Sequence, residues 1–157
     1  MFVSEYLSPI GPLWICSDAD AITGLHFTRQ DGQAGELLPL HQAAAEQLEA
    51  YFAGKRTVFA LPLRPAGTAF QLSVWQALTE IPYGETRSYG EIAAAVGNSK
   101  ASRAVGMANN RNPISILIPC HRVIGSTGVL VGYGGGLEKK LFLLELEKGA
   151  GRHGKLQ

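Results

Sequence analysis

The stretch Ser88-Tyr89-Gly90-Glu91-Ile92-Ala93-Ala94-Ala95-Val96-Gly97-Asn98-Ser99-Lys100-Ala101-Ser102-Arg103-Ala104-Val105-Gly106-Met107 decides the fold of this chain. Ser88 with Glu91 three residues on is a capping box that opens a helix. Ile92 and Val96 give that helix an apolar side, and Gly97 ends it. Asn98 and Ser99 stand where a following helix is capped, and it runs through Arg103 toward Met107. Two short helices joined by a tight glycine-containing turn make a helix-turn-helix candidate. The second helix carries small residues at Ala101, Ala104, Val105, Gly106 and Ala108. Small side chains let a backbone approach a groove, and they serve a tight helix crossing equally well.

Upstream, Thr68-Ala69-Phe70-Gln71 is another capping box, opening a helix that buries Phe70, Val74, Trp75 and Leu78. Ile81-Pro82-Tyr83-Gly84 stops it. Downstream, Ile114-Ser115-Ile116-Leu117-Ile118 reads as a strand that ends at Pro119-Cys120-His121-Arg122-Val123. A glycine-rich stretch, Gly132-Tyr133-Gly134-Gly135-Gly136, leads into a last helix. That helix has Leu137, Leu141 and Leu144 on one face and reaches Glu147.

The first forty residues are strand-rich. Ser8-Pro9-Ile10-Gly11-Pro12 is turn chemistry, and Leu13 to Cys16 and Ile22 to Phe27 are short strands around a turn at Asp18 to Asp20. Leu40, Ala44, Leu48 and Tyr51 recur at helical spacing before Gly54. Leu61 to Gly67 reads as an extended linker. The expected organisation is an N-terminal α/β domain over 1–64, a linker over 65–68, a mainly helical domain over 69–149 and a flexible tail over 150–157.

The chain has 157 residues and a net charge of +1. Charge is uneven: residues 1–68 hold four basic and seven acidic side chains, and the remainder ten and six. From Arg87 to Arg122, five cations (Arg87, Lys100, Arg103, Arg111, Arg122) face the single acid Glu91. That distribution fits a polyanion-facing surface, and also a plain uneven solvated one. No apolar run approaches the roughly 18 residues needed to span a membrane. The start lacks a basic segment leading into an apolar one, so a cytoplasmic location is expected. Two distant cysteines, Cys16 and Cys120, fit free thiols in a reducing compartment.

Pro119-Cys120-His121-Arg122 carries the chemistry. A thiol attacks as thiolate, and its unperturbed pKa is about 8.5. The imidazole of His121 can take the proton directly or through a water, and Arg122 adds positive charge. Glu145 and Glu147 are candidates to orient the imidazole. The dipeptide also fits a buried thiol beside a surface histidine. Cys16, in an apolar strand, reads as core. His26, His41 and Cys16 have no metal-ligand spacing, so neither a metal nor a cofactor is expected. The glycine-rich loop lacks the Lys-Ser/Thr pair of a phosphate cradle.

Together these segments resemble the O6-alkylguanine-DNA alkyltransferases. The carrying residues are Ile116 to Ile124, Asn112-Pro113, Arg103 to Gly106, Ile81 to Tyr89 and Gly132 to Leu137, within about 68–148. The first 65 residues match more loosely, through Ser8 to Leu13. The resemblance implies a ribonuclease H-like α/β domain followed by a winged helix-turn-helix domain. It implies an irreversible, single-turnover S-methyltransferase that moves an alkyl group from O6-alkylguanine in double-stranded DNA to Cys120. His121 is then the water-linked base, Glu147 its orienting carboxylate, and Asn112 the brace of the active-site turn. Arg103 fills the gap left by the extruded base, and Tyr89 crowds the 3′ phosphate and hydrogen-bonds the guanine. Ala104, Gly106, Ala108 and Lys100 belong to the minor-groove face, while Val123, Tyr133 and Gly134 surround the bound base. Gly134 stands where some relatives carry serine. A monomer is implied; cooperation along DNA and acceptance of O4-alkylthymine stay open. Two other readings compete: a multiple-turnover cysteine hydrolase using Cys120, His121 and Glu147, and a winged-helix damage-recognition protein that does not use the thiol.

Overall fold

The computed structural model describes residues 1–126, 128 and 132–156, with the backbone alone for 150–156. Four strands form the N-terminal sheet: β1 (Phe2–Ser8), β2 (Gly11–Ser17), β3 (Ile22–His26) and β4 (Gln33–Ala34), in spatial order β3-β2-β1-β4. The β1–β2 hairpin pairs in register from Phe2 opposite Ser17 to Ser8 opposite Gly11. Gly11 sits at φ 105°, which only glycine adopts without strain. Helix α1 (Pro39–Phe52) covers one sheet face, where Leu13, Ile15, Ala44, Leu48 and Tyr51 meet in the core. Helical spacing dictated that face. His41 joins it as a polar member, bridging the Ser4 and Ser17 hydroxyls at 2.6 and 2.7 Å.

The C-terminal half holds α2 (Ala69–Thr79), β5 (Arg87–Ser88), α3 (Tyr89–Ala95), α4 (Ser102–Asn110), a single 3₁₀ turn at Cys120–Arg122, β6 (Val123–Ile124) and α5 (Leu137–Leu156). Both capping boxes form: Thr68 with Gln71 opens α2, and Ser88 with Glu91 opens α3. Gly97 closes α3 at φ 86°. Strands β5 and β6 pair in parallel. Edge strand β3 ties the halves together. Its Ile22 exchanges backbone hydrogen bonds with Pro62 and Arg64, and its Leu25 with Pro113 and Ser115.

The structure corrects four local expectations. Asn98 does not cap α4; its side chain closes a turn onto Lys100 N, and the helix begins at Ser102. Ile114–Ile118 is not a strand but a compact double turn, with Ile116 at φ 71° and Ile118 N bonded to Ile114 O. A β-branched residue in the left-handed region is strained by about 1–3 kcal/mol and persists only where its surroundings hold it. Here Ile116 is buried, and Asn112 grips both flanks. The buried stripe of α5 is Lys140, Leu143 and Glu147, while Leu137 and Leu141 are exposed. Finally, Ala108 lies on the inner face of α4 at 3% exposure, its carbonyl accepting from Trp75 Nε1 at 2.8 Å. Over 150–156, where a flexible tail is expected, α5 continues to Leu156; Gln157 lies outside the described residues.

Candidate active site and nucleic-acid interface

Cys120 opens the 3₁₀ turn directly after the strained Ile114–Pro119 segment. Asn112 builds that approach: its Nδ2 donates to Ile118 O at 2.8 Å, and its Oδ1 accepts from Ile114 N at 3.0 Å. Asn109 Nδ2 donates to Cys120 O at 3.3 Å from α4. The thiol is 4% exposed. Burial pushes its pKa up to about 11, against the opposing pull of Asn112 and the Lys140 charge. At neutral pH such a group is thiolate only about once in 10⁴ molecules, so attack requires a base.

The next residue, His121, carries an imidazole. Its ring is fully buried, and Nε2 lies 2.6 Å from Glu147 Oε2. Burial also raises the cost of the Glu147 charge, but the hydrogen bonds from His121 and Arg122 and the Arg122 charge prevail and hold it at about 2. An ionised carboxylate only accepts, so Nε2 carries the proton and Nδ1 presents a bare lone pair. Burial lowers the His121 pKa and keeps the ring neutral at rest, with Glu147 opposing. Nδ1 is buried and meets no hydrogen-bond partner among the described residues.

Glu147 is the hub. Oε2 accepts from His121, from Tyr51 Oη at 2.7 Å and from Arg122 Nη2 at 3.0 Å; Oε1 accepts from Arg122 Nε at 2.8 Å. Arg122 therefore spends its charge on Glu147, contrary to its expected place beside the thiol, and its Nη1 donates to Ile81 O. The cation facing Cys120 is Lys140, fully buried, donating to Gly132 O at 3.2 Å. Burial lowers the Lys140 pKa to about 8, with Cys120 opposing. Glu145 is exposed and takes no part in the hub. Sequence patterning missed Tyr51, Asn109 and Lys140, each of which reads as an ordinary helix position. The signal available was a polar group at a buried position of an amphipathic helix.

Tyr133 packs edge-on against Phe27, and its buried hydroxyl has no hydrogen-bond partner among the described residues. Burial and then Cys120 raise the pKa values of both Tyr89 and Tyr133. Val123 is fully buried in β6 and does not reach the surface. Gly134 is exposed, with no atom of the described residues within 4 Å of an added Cβ. Tyr89 leads outward to an open groove along α4, lined also by Lys100, Ser102, Arg103, Gly106, Met107 and Asn110. A Cβ on Gly106 would lie 3.8 Å from the Tyr89 ring. Arg103 and Ala104 are exposed on the same helix. Among the described residues no cluster of three or more metal-ligating side chains occurs, and no helix is long and apolar enough to cross a membrane.

An N-terminal sheet domain, a helix-turn-helix bordered by an open groove with Lys100 and Arg103, and a buried cysteine followed by a carboxylate-paired histidine mark a DNA-binding protein with thiol chemistry. Comparison with known proteins agrees. The profile of the 6-O-methylguanine DNA methyltransferase DNA-binding domain matches residues 69–149, and that of its ribonuclease-like domain matches residues 1–65. This chain belongs to the 6-O-methylguanine DNA methyltransferase family. It is 58% identical over 146 residues to the methylated-DNA–protein-cysteine methyltransferase of Mycobacterium leprae, covering 90% of this chain and 88% of that one. Its identity to the protein of the same name from Methanosarcina acetivorans is 52% over 155 residues, covering 94% and 98%. The Mycobacterium tuberculosis OGT structure in complex with DNA superposes with a TM-score of 0.87 at 48% identity, covering 96% of this chain and 94% of that one.

Proposed function

We propose that this chain repairs DNA by direct reversal, moving the alkyl group of an O6-alkylguanine in duplex DNA onto Sγ of Cys120, once per molecule. One observation carries the reading. A buried thiol is followed in the chain by a neutral imidazole with a bare Nδ1, backed by an ionised carboxylate, and the open groove along α4 is lined by Tyr89, Lys100 and Arg103.

The minor groove is about 6 Å wide, so a helix enters it only on a face of small side chains. Ala104 and Gly106 supply that face. Lys100 and Arg103 supply charge toward phosphates, so affinity falls as salt rises. A stacked guanine hides its O6 and must be turned out of the helix, at a cost of a few kcal/mol. Arg103, exposed in the first turn of α4, fills the vacated space. Tyr133 and Gly134 flank the everted base, with Val123 behind them.

The thiol proton then passes to His121 Nδ1, directly or through one water. Sulfur attacks the alkyl carbon in line; the S–C bond forms and the C–O6 bond breaks, its electron pair leaving on the purine. The Tyr89 hydroxyl and Gly134 N–H meet that charge, and the purine takes back a proton. Asn112 fixes the turn that aims Sγ. The product is a thioether, and no described residue is placed to displace its alkyl group, so turnover stops. Every group in this scheme comes from one chain, which supports a monomer on each lesion. Two free thiols support a reducing, cytoplasmic setting.

The test is direct. The protein is mixed with duplex DNA holding one O6-methylguanine, and the Cys120 peptide is weighed. The expected result is a peptide heavier by one methyl group and a restored guanine. An unmodified peptide with the lesion intact would sink the proposal.

A further inference from the structure

The relay contains a member from the other half of the chain. Tyr51 lies on α1 in the N-terminal sheet domain, 96 residues from Glu147 in sequence, yet its hydroxyl donates to Glu147 Oε2 at 2.7 Å. His121 Nε2 donates to the same oxygen at 2.6 Å. The Tyr51 side chain is fully buried, and its ring is fixed by Phe52, Phe59 and Tyr83 with centroids 5.2 to 6.3 Å away. Its hydroxyl is therefore held at the carboxylate by packing rather than by its own torsional preference.

We infer that Tyr51 is a positioning residue of the thiol-activating relay, contributed by the N-terminal domain: its hydroxyl fixes the Glu147 carboxylate and shares its charge so that His121 stays a neutral base. The reasoning is electrostatic. Hydrogen bonds in a low-dielectric interior draw charge onto the donor, and each donor weakens what the acceptor offers the next. With Tyr51 in place, Oε2 divides its charge among the phenol, the Arg122 guanidinium and the imidazole. With the phenol removed, the carboxylate pulls harder on the His121 proton, and the imidazolium becomes easier to form. Burial and then Glu147 keep the phenol itself protonated, well above the usual tyrosine range.

The other charged or titratable groups around His121 do not change with Tyr51. These are Glu147 and Lys140 from α5, Arg122 and Cys120 on its own turn, Tyr83 from the loop after α2, and Tyr133 ahead of α5. The N-terminal domain is then part of the chemistry and not only a packing partner. This inference rests on the relay assigned to His121 above.

The variant is Tyr51→Phe, which keeps the ring contacts and removes only the hydroxyl. Two measurements are made on the full chain. The first is the NMR titration of the His121 ring, assigned with a His121→Gln control among the four histidines. His121 is expected to titrate about one pH unit higher in the variant. The second is the rate of methyl transfer from the duplex against pH. Its acid limb is expected to move up by the same amount, with a loss that approaches tenfold at pH values below the wild-type midpoint and vanishes well above the variant's. A His121 titration unmoved by the substitution overturns the inference, as does an equal loss of rate at every pH, which is the signature of a purely structural role. If the wild-type protein transfers no methyl group, the repair reading falls, and the ring titration alone decides the role of Tyr51.

Discussion

Glu147→Gln tests the hub of the site with almost no change of shape. An amide offers one oxygen and one NH₂ where the carboxylate offered two acceptors. With the NH₂ in the Oε2 position it would face three donors: His121 Nε2, Tyr51 Oη and Arg122 Nη2. With the NH₂ at Oε1 it faces two, Arg122 Nε at 2.8 Å and the more distant Gly84 N at 3.5 Å, so the second arrangement costs less. Either way the Arg122 guanidinium, 7% exposed, loses its counter-charge. Leaving one member of a buried pair uncompensated costs about 3–5 kcal/mol.

An independent route gives a similar figure. The Glu147 carboxyl moves from an ordinary 4.5 to about 2 in the fold. That gap is about 3 kcal/mol of preference for the charged form. Because the folded value is the lower one, this stabilisation is present above pH 4.5 and is lost as pH falls toward 2. Urea unfolding followed by tryptophan fluorescence reads it through Trp14 and Trp75. At pH 7 the variant is expected to be less stable by about 3 kcal/mol, and the two proteins are expected to converge as pH drops below 4.5. In the folded variant, single-turnover transfer is expected to slow by about 10² or more, since nothing then stabilises the imidazolium. A loss of stability below about 1 kcal/mol with an unchanged rate would refute the hub as described.

Three further outcomes are expected. Arg103→Ala reduces repair of duplex about tenfold more than reaction with free O6-benzylguanine, because only the duplex requires extrusion; equal losses in the two rates argue against an intrahelical role. Lys140→Met removes the cation facing Cys120 and lowers the transfer rate at pH 7 about tenfold. The wild-type advantage fades above pH 8, where Lys140 itself loses its proton, and a ratio constant from pH 6 to 10 contradicts that electrostatic role. The Cβ that Gly134→Ser adds meets no atom of the described residues within 4 Å, and the substitution changes rate by less than about twofold; a severe loss would show that bare backbone is needed there.

How much of this was legible in the chain depended on how local each cause was. Both capping boxes, the hairpin turn and the glycine closing α3 were readable, since each is settled within four or five residues. Cys120 and His121 were nameable as a thiol next to an imidazole, residue chemistry left Glu145 and Glu147 both open, the resemblance selected Glu147, and the structure pairs His121 with Glu147. The illegible parts are those where a distant partner overrides a local preference. Ile114–Ile118 has every preference for a strand, yet Asn112 folds it into a turn. On α5, leucine spacing selects the wrong face, because Lys140 and Glu147 are buried by partners at Gly132, Arg122, His121 and Tyr51. Ala108 joined the small face on size alone, and the Trp75 indole turns it inward.

The same long-range groups explain why the nucleophile can be kept at all. A thiol used once gains nothing from standing reactivity, since every stray electrophile or oxidant that it meets removes a molecule from service. Burial at Cys120 keeps it overwhelmingly protonated, and such a thiol is slow toward both. In the proposed scheme the groups that overcome this are hidden as well: a neutral imidazole on a carboxylate held by Tyr51 and Arg122, and a lysine with a softened hold on its proton. Reactivity is then conferred by the substrate. A base turned into the site brings the alkyl carbon to sulfur and excludes water, which strengthens each of these charges at the moment of transfer. On this argument thiol reactivity toward a small alkylating agent and toward the alkylated base are set by different terms. Opening the site, as by Tyr133→Ala, is expected to raise the first and lower the second. Parallel changes in the two rates would mean that the sulfur is activated before the base arrives.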